Sequence, residues 1–149
     1  MNSRKVTIIT PGGNIIRTTT KGLLITAEHF LLGYKLITKE YPDQTPVSSN
    51  LGLWKPRYYL LGHALELAFK AFLLKQGITL DYLKNKIGHD LVKCLNLANE
   101  KGLIIFDRKE GATIRVLNAY YCSKYFEYQQ IGFKSLPLLS DVEKITEKL

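Results

Sequence analysis

The residues with the clearest chemical potential lie in the stretch "KNKIGHDL", where Lys84 precedes His89 by five positions. An imidazole can act as a general base near neutral pH, and an ammonium group can bind a phosphate, so this pair is the candidate catalytic pair. A structural interpretation competes with it. Gly88 allows a tight turn, Asp90 can cap the helix that follows, and the His89 ring can hydrogen-bond to a neighbouring helix.

A second group of polar residues lies in the stretch "GHALELAFKAFLL". His63, Glu66 and Lys70 fall within a sector of about 60° on a helix that is otherwise apolar. The stripe is either the solvated edge of a bundle or the floor of a cleft in which Lys70 meets a phosphate. In both cases we expect Glu66 to share a polar network with His89. The candidate ligand-binding residues are His63, Glu66, Lys70, Lys86 and Arg57.

The helix that carries this stripe is predicted from Pro56 to Lys75. Pro56 can occupy the first turn of a helix, and Gly77 supplies a stop. Because apolar residues cover most of its circumference, the helix should lie at the centre of a bundle, enclosed by others.

The remaining elements should surround the central helix. Periodicity predicts a helix over Gly22–Lys39, a polar connection over 41–52, and a short helix over Leu80–Lys84 with Thr79 as its cap. Further helices are predicted over Asp90–Lys101, ended by Gly102, over Thr113 to about Tyr125, and after a capping box at Ser140–Glu143. The fold class is therefore all-α, an antiparallel bundle of four to five helices.

The N-terminal residues differ from the rest. Two β-branched runs flank Pro-Gly-Gly-Asn within residues 6–20, which predicts either a short β-hairpin or a disordered arm. We therefore divide the chain into an arm, residues 1–20, and a helical domain, residues 21–149.

Bulk composition limits the function classes. The 149 residues are enough for one core, and a net charge of +8 favours anionic partners, although a solvated basic surface explains most of the basic residues. Cys94 and Cys122 lack metal-ligand spacing and are expected to be buried, reduced thiols. No cofactor is indicated. No membrane-spanning run or secretory signal is found, so a cytoplasmic protein without membrane contact is expected.

Three stretches together resemble the HEPN superfamily of small helical-bundle domains: "GHALELAFKAFLL", "IGHDL" and "LNAYYCSKYFEY". The resemblance extends over roughly residues 21 to 130. It implies a bundle of four or more helices, frequent homodimers, and binding of nucleotides or RNA. Many members are metal-independent ribonucleases, often toxins or antiviral effectors, and some toxins have a nucleotidyltransferase partner.

The ribonuclease members carry an Arg-x4-6-His motif, from which this sequence departs. Arg57 and His63 have a permitted spacing, but six steps along a helix is about 240°, which points them to different faces. Lys84 and His89 also fit, yet lysine lacks the planar fork with which arginine grips a phosphate. In some toxin members the motif extends to His-x-Tyr, and this extension receives a nucleotide modification from the partner nucleotidyltransferase. Here the residue two positions after His89 is Leu91, so the extension is absent. The resemblance leaves open whether the chain is catalytic.

The tyrosine-rich segment at residues 117–128 allows two interpretations. Its aromatic rings can stack unpaired bases, with Arg115 just before the segment and Lys124 within it as the neighbouring cations. Alternatively, the spacing of Tyr121, Tyr125 and Tyr128 indicates packing of these rings in the bundle or in a dimer. The basic charge and the resemblance together imply a noncatalytic or weakly catalytic HEPN-like module that binds RNA or a nucleotide and acts as a homodimer. A metal-independent ribonuclease and a protein-interaction adaptor are the alternatives.

Overall fold

The computed structural model describes residues 6–9, 15–42, 53–128 and 135–149, with side chains from Thr18 onward. In this part of the chain the architecture is a helical bundle, and the predicted all-α class is confirmed. The helices are α1 Thr20–Glu40, α2 Trp54–Lys75, α3 Leu80–Tyr82, α4 Leu91–Glu100, α5 Arg108–Tyr121 and α6 Leu139–Glu147.

Two short strands precede the bundle. Strand β1, Val6–Ile9, pairs antiparallel with β2, Ile15–Thr18, in a register that sets Ile8 opposite Ile16. The predicted Pro-Gly-Gly-Asn turn lies outside the described residues. Helix α1 then begins at Thr20, two residues earlier than predicted, because the Thr19 side chain accepts a hydrogen bond from the Gly22 amide and caps it.

Helix α2 is the central helix, as predicted. It packs against α1, α4, α5 and α6, and most of its leucine, alanine and phenylalanine residues are buried, on more than half of its circumference. The helix starts at Trp54, so Pro56 lies in the first turn, where its missing N–H leaves no bond unmade. The polar residues on α2 are therefore carried through the middle of the molecule.

The chain between α2 and α4 makes a compact turn. Gly77 has a positive φ of 88°, and Thr79 caps α3 by accepting a hydrogen bond from the Tyr82 amide, as predicted. Helix α3 continues as a π-helical turn, Leu83–Ile87, which extends beyond the predicted end at Lys84. Gly88 then adopts φ 61° and ψ −129°, a conformation that side-chain-bearing residues rarely reach.

The predicted starts of α5 and α6 are wrong. Helix α5 begins at Arg108 rather than Thr113, because Asp107 and Glu110 form a reciprocal capping box. The capping box predicted at Ser140–Glu143 does not form. Helix α6 starts one residue before Ser140, without a side-chain cap, and Leu139 packs against the core.

The tyrosine-rich segment is also less regular than its spacing suggested. Helix α5 ends at Tyr121, and a series of turns follows in which Lys124 has a positive φ of 60°. Tyr121 and Tyr125 are buried, whereas Tyr128 is 60% exposed. Burial in the bundle is therefore confirmed for Tyr121 and Tyr125, whereas Tyr128 is not buried within the single chain.

Candidate functional site

The centre of the candidate site is the contact between Glu66 on α2 and His89 in the turn before α4. His89 Nδ1 lies 3.0 Å from Glu66 Oε2 and 3.2 Å from Oε1. The side chain of Glu66 is only 2% exposed, whereas that of His89 is 59% exposed. The expected polar network between these two residues is thus confirmed, with one partner buried in the bundle and the other at the surface.

Two further donors bind the same carboxylate. Lys70, one helical turn beyond Glu66 on α2, donates to Oε1. The hydroxyl of Tyr121, on α5, donates to Oε2 at 2.6 Å. Burial alone would raise the pKa of Glu66, but the hydrogen bonds from Lys70, Tyr121 and His89 outweigh it, and the pKa is lowered from its ordinary value. Glu66 is therefore a buried anion that acts only as an acceptor.

The acceptor role of Glu66 fixes the direction of the neighbouring hydrogen bonds. Because the Tyr121 hydroxyl points its proton at the carboxylate, its oxygen is left to accept from His63 Nδ1, which lies 2.9 Å away. Burial lowers the pKa of His63, against the attraction of Glu66. Burial and the negative charge of Glu66 raise the pKa of Tyr121, which keeps its proton. A directed chain therefore runs from neutral His63 through Tyr121 to Glu66.

Aromatic rings enclose the His63 imidazole. The ring of Tyr59 stacks on it at 5.6 Å between centroids, and the ring of Phe30 meets it edge-on at 4.4 Å. These contacts explain why His63, although on the predicted polar stripe, is partly shielded from water. His63 thus contacts the network inside the bundle, whereas His89 is the member that solvent reaches.

Close packing of α5 on α2 makes the Tyr121 contact possible. A Cβ atom at Gly62 would lie 2.5 Å from Cδ2 of the Tyr121 ring, which is closer than van der Waals contact allows. Only glycine at this position lets the ring lie against the α2 backbone and bring its hydroxyl to Glu66.

The turn that carries His89 is held by α5 as well. The Asn118 side chain is buried. Its Oδ1 accepts from the Leu91 amide at 2.7 Å, and its Nδ2 donates to Asp90 Oδ1 at 3.1 Å. Asp90 also accepts from the Val92 and Lys93 amides, and so caps α4 as predicted. His89 is therefore fixed from both sides, by Glu66 and by the anchored start of α4.

This geometry determines which chemistry His89 can perform. Because the Glu66 carboxylate accepts the Nδ1 proton, the neutral ring keeps its lone pair on Nε2. That nitrogen belongs to a largely exposed side chain and can accept a proton or, when the ring is charged, donate to an anion. A carboxylate that orients an imidazole through Nδ1 is the arrangement that general-base catalysis uses.

The other predicted residues are distributed unevenly around this centre. Lys84 and Lys86 are exposed on the π-helical turn before Gly88, and neither forms an ion pair within the described part of the chain. Arg57 is buried near the start of α2 and donates to the Tyr41 carbonyl. Arg57 precedes Glu66 by nine residues, about 14 Å along α2, and therefore lies outside the cluster.

Two members of the cluster are not among the site residues that the sequence predicts. The sequence predicts packing or base stacking for Tyr121 and no role for Asn118. Helical spacing shows which face a tyrosine occupies but not what its hydroxyl binds. A glycine at position 62 within a strong helix was the available signal, since such a glycine often marks close approach of another element.

The two cysteines are free thiols in the structure. Cys94 is buried, which raises its pKa to about 12, whereas Cys122 is exposed, so the expectation that both are buried is wrong for Cys122. Within the described residues no cluster of histidine, cysteine, aspartate or glutamate is suited to hold a metal ion. In the same ranges, none of the helices combines the length and apolar character needed to cross a bilayer.

Comparison with known proteins gives no family assignment. No family model matches the chain, and neither the curated proteins nor the solved structures contain a significant match.

Proposed function

We propose that the chain is a HEPN-like module that binds a nucleotide or RNA, noncatalytic or weakly catalytic, and acts as a homodimer. The observation that carries the proposal is the exposed His89 imidazole held by a buried carboxylate, with Lys84 and Lys86 on the turn leading to it. The resemblance of "GHALELAFKAFLL" and "IGHDL" to the superfamily and the net charge of +8 support it.

Charge around the turn supports an anionic ligand. Residues 80–90, from α3 to the start of α4, contain two carboxylates, and both accept hydrogen bonds from nearby groups. Asp81 accepts from the Asn85 side-chain amide, and Asp90 caps α4. The Glu66 charge is compensated by Lys70. The ammonium groups of Lys84 and Lys86 are consequently the charges that the segment offers to a ligand, and phosphate groups are the natural complement.

The preorganisation of His89 favours binding over mere solvation. A surface histidine without partners samples several rotamers, and ordering it on binding costs free energy. Here Glu66 orders the ring beforehand, and Asn118 orders the backbone beside it. Held in this way, the imidazole can hydrogen-bond a phosphate or a 2′-hydroxyl at little entropic cost.

Titration of the purified protein with labelled single-stranded RNA and with nucleotides, at about 50 and about 200 mM salt, tests the proposal. We expect binding that weakens as salt rises, because phosphate contacts release counterions. The Lys84→Ala/Lys86→Ala double variant should bind more weakly than the charge-matched Lys109→Ala/Lys144→Ala variant, whose lysines are exposed on α5 and α6. Absence of binding at low salt, or equal loss in both variants, would refute it.

The Glu66–His89 pair also favours a second candidate function, a metal-independent ribonuclease. In this mechanism His89 Nε2 removes the proton of a 2′-hydroxyl, and the 2′-oxygen attacks the phosphorus of the scissile phosphate, which Lys84 binds. A 2′,3′-cyclic phosphate forms as the bond to the 5′-oxygen breaks, and the 5′-oxygen leaves as a hydroxyl after taking a proton from water. RNA incubated with the protein in excess EDTA should then be cleaved, and cleavage should disappear in His89→Ala. RNA that stays intact with wild-type protein while binding persists would leave the noncatalytic module as the function.

A further inference from the structure

The outward face of α1 carries an apolar stripe. Ile25, Leu32 and Leu36 are 40, 54 and 56% exposed, and the exposed His29 lies between them. We call these four residues the outer stripe. The buried residues of α1 are on the opposite side of the helix, roughly 180° away. The outer stripe therefore points directly away from the bundle, where an isolated chain gains nothing from apolar side chains.

The spacing of the outer stripe is symmetrical. Its members are separated by four, three and four residues, so the stripe reads the same from either end, and alternation of three and four is the spacing of a helix–helix seam. If a second copy of α1 lies antiparallel across it, Ile25 meets Leu36 of the other copy, and His29 meets Leu32 of the other copy. Each stripe then covers the other along its whole length.

The charges at the two ends of α1 agree with the same alignment. It places Lys21, in the first turn, opposite Glu40, the last residue of the helix, and the twofold symmetry makes this pair twice. A parallel alignment would instead set Lys21 against Lys21 and Glu40 against Glu40. Charge complementarity thus selects an antiparallel second copy as the occupant.

We infer that α1 forms the homodimer interface, with two copies antiparallel along the outer stripe. The inference rests on the proposed function, because it gives the interface of the homodimer proposed above. It does not depend on RNA binding. From Ile25 to Leu36 the seam is about 16 Å long. A contact of this length buries less than about 1,200 Å² of total accessible surface, which is typical of weak interfaces. We therefore expect the chain to associate only at high protein concentration.

Sedimentation equilibrium without RNA tests the interface. We expect wild-type protein to dimerise as its concentration rises, and Leu32→Glu to remain monomeric. Because Leu32 is already exposed in the single chain, the substitution should leave folding intact, which circular dichroism and urea unfolding check. The matched control is Ile104→Glu, at a residue 82% exposed before α5, which should dimerise like wild type. A wild-type monomer at every concentration, or a Leu32→Glu dimer, would overturn the inference.

Charge exchange tests the pairing of the helix ends. Lys21→Glu and Glu40→Lys should each weaken the dimer, and the double variant should restore it. Each single change places a charge that suits the helix dipole at its end of α1, so monomer stability should not fall while dimerisation does. Dimerisation unchanged in both single variants, or a double variant weaker than either, would show that the ends are not paired.

Disulfide crosslinking tests the register. Chains carrying His29→Cys and chains carrying Leu32→Cys, both with Cys122→Ser, are oxidised with copper–phenanthroline separately and as a mixture. The buried Cys94 remains in both. The antiparallel register predicts rapid crosslinking in the mixture, because positions 29 and 32 face each other across the seam, and little in either chain alone. Crosslinking of His29→Cys with itself at the same rate would indicate another register and overturn this one.

These results are separable from those for RNA. If RNA binds but Leu32→Glu leaves the dimer intact, the interface is wrong and the proposed ligand stands. If the stripe variants abolish the dimer but no RNA or nucleotide binds at low salt, the interface stands and the proposed ligand is wrong.

Discussion

Glu66 and Tyr121 lie 55 positions apart in the chain and are joined by a buried hydrogen bond of 2.6 Å. This bond connects the central helix to α5 and supplies one of the three donors that stabilise a carboxylate inside the bundle. It also orders the tyrosine oxygen that accepts from His63. The exposed His89 therefore depends, through Glu66, on a residue of another helix.

Tyr121→Phe should destabilise the protein without disturbing its packing. The ring volume is kept, but Glu66 loses one donor and His63 Nδ1 loses its acceptor. Hydrogen bonds to charged groups contribute about 1.5–3 kcal/mol, and we expect a loss of that order in the free energy of unfolding, measured by urea denaturation. Tyr128→Phe removes a hydroxyl from a residue 60% exposed and is the control. Equal stability of the Tyr121→Phe and wild-type proteins would contradict the directed chain.

Acidification should remove the contribution of Glu66. Because its pKa in the folded protein lies below the ordinary value of 4.5, the unfolded chain binds more protons in this pH range. The stabilisation that ionised Glu66 provides is complete above pH 4.5 and is lost as the pH falls through the pKa of Glu66 in the folded protein. The stability difference between wild type and Glu66→Gln should therefore be largest near neutral pH and shrink in acid. A difference independent of pH would contradict an ionised Glu66, and Glu100→Gln, at an exposed site on α4, is the control.

His63 should respond in a higher pH range. Its pKa in the folded protein is below the ordinary value of 6.5 because burial disfavours the charged ring. As the pH falls, the unfolded chain therefore protonates this histidine before the folded protein does. The contribution of neutral His63 to the free energy of unfolding is complete above pH 6.5 and decreases as the pH drops towards the folded pKa. His63→Asn keeps a donor near Tyr121 but cannot titrate. We expect its free energy of unfolding to depend less on pH than that of wild type between about pH 7.5 and about pH 5.5. Parallel profiles would contradict a neutral, partly buried His63.

The central helix and the Glu66–His89 contact could be predicted because both follow from local patterns. Apolar residues around most of a helix require enclosure, and a polar stripe on such a helix requires a partner. The imidazole of His89, in the Gly-His-Asp-Leu junction, is the partner that the sequence predicts for this stripe. Tyr121 and Asn118 could not be found in this way, because their hydrogen bonds depend on how α5 is rotated against α2 and α4, which spacing alone does not determine.

The capping boxes show a second limit. Asp107-x-x-Glu110 and Ser140-x-x-Glu143 both match the pattern, yet only the first forms. At the second, α6 has already begun at Leu139, which packs against the core. The helix start thus coincides with a partly buried leucine that contacts the core, and not with the local preference of serine for a cap.

The approach of α5 to α2 at Gly62 gives a prediction in which two similar substitutions have opposite effects. Alanine is the better helix former, so Gly33→Ala on α1 should stabilise the protein by about 0.5–1 kcal/mol. Its new methyl group would lie 3.8 Å from Leu60, an ordinary contact. At Gly62 the methyl group would lie 2.5 Å from the Tyr121 ring. Gly62→Ala must displace the ring and should cost about 1–3 kcal/mol.

The displaced ring provides a second measurement. If Tyr121 moves, its hydroxyl can no longer reach Glu66, so combining Gly62→Ala with Tyr121→Phe should cost less than the sum of the two single changes. Urea denaturation of the two single variants and the double variant measures this coupling. Additive costs, or a stabilising Gly62→Ala, would show that α5 does not rest on the α2 backbone as described, and that the position of Tyr121 beside Glu66 has another cause.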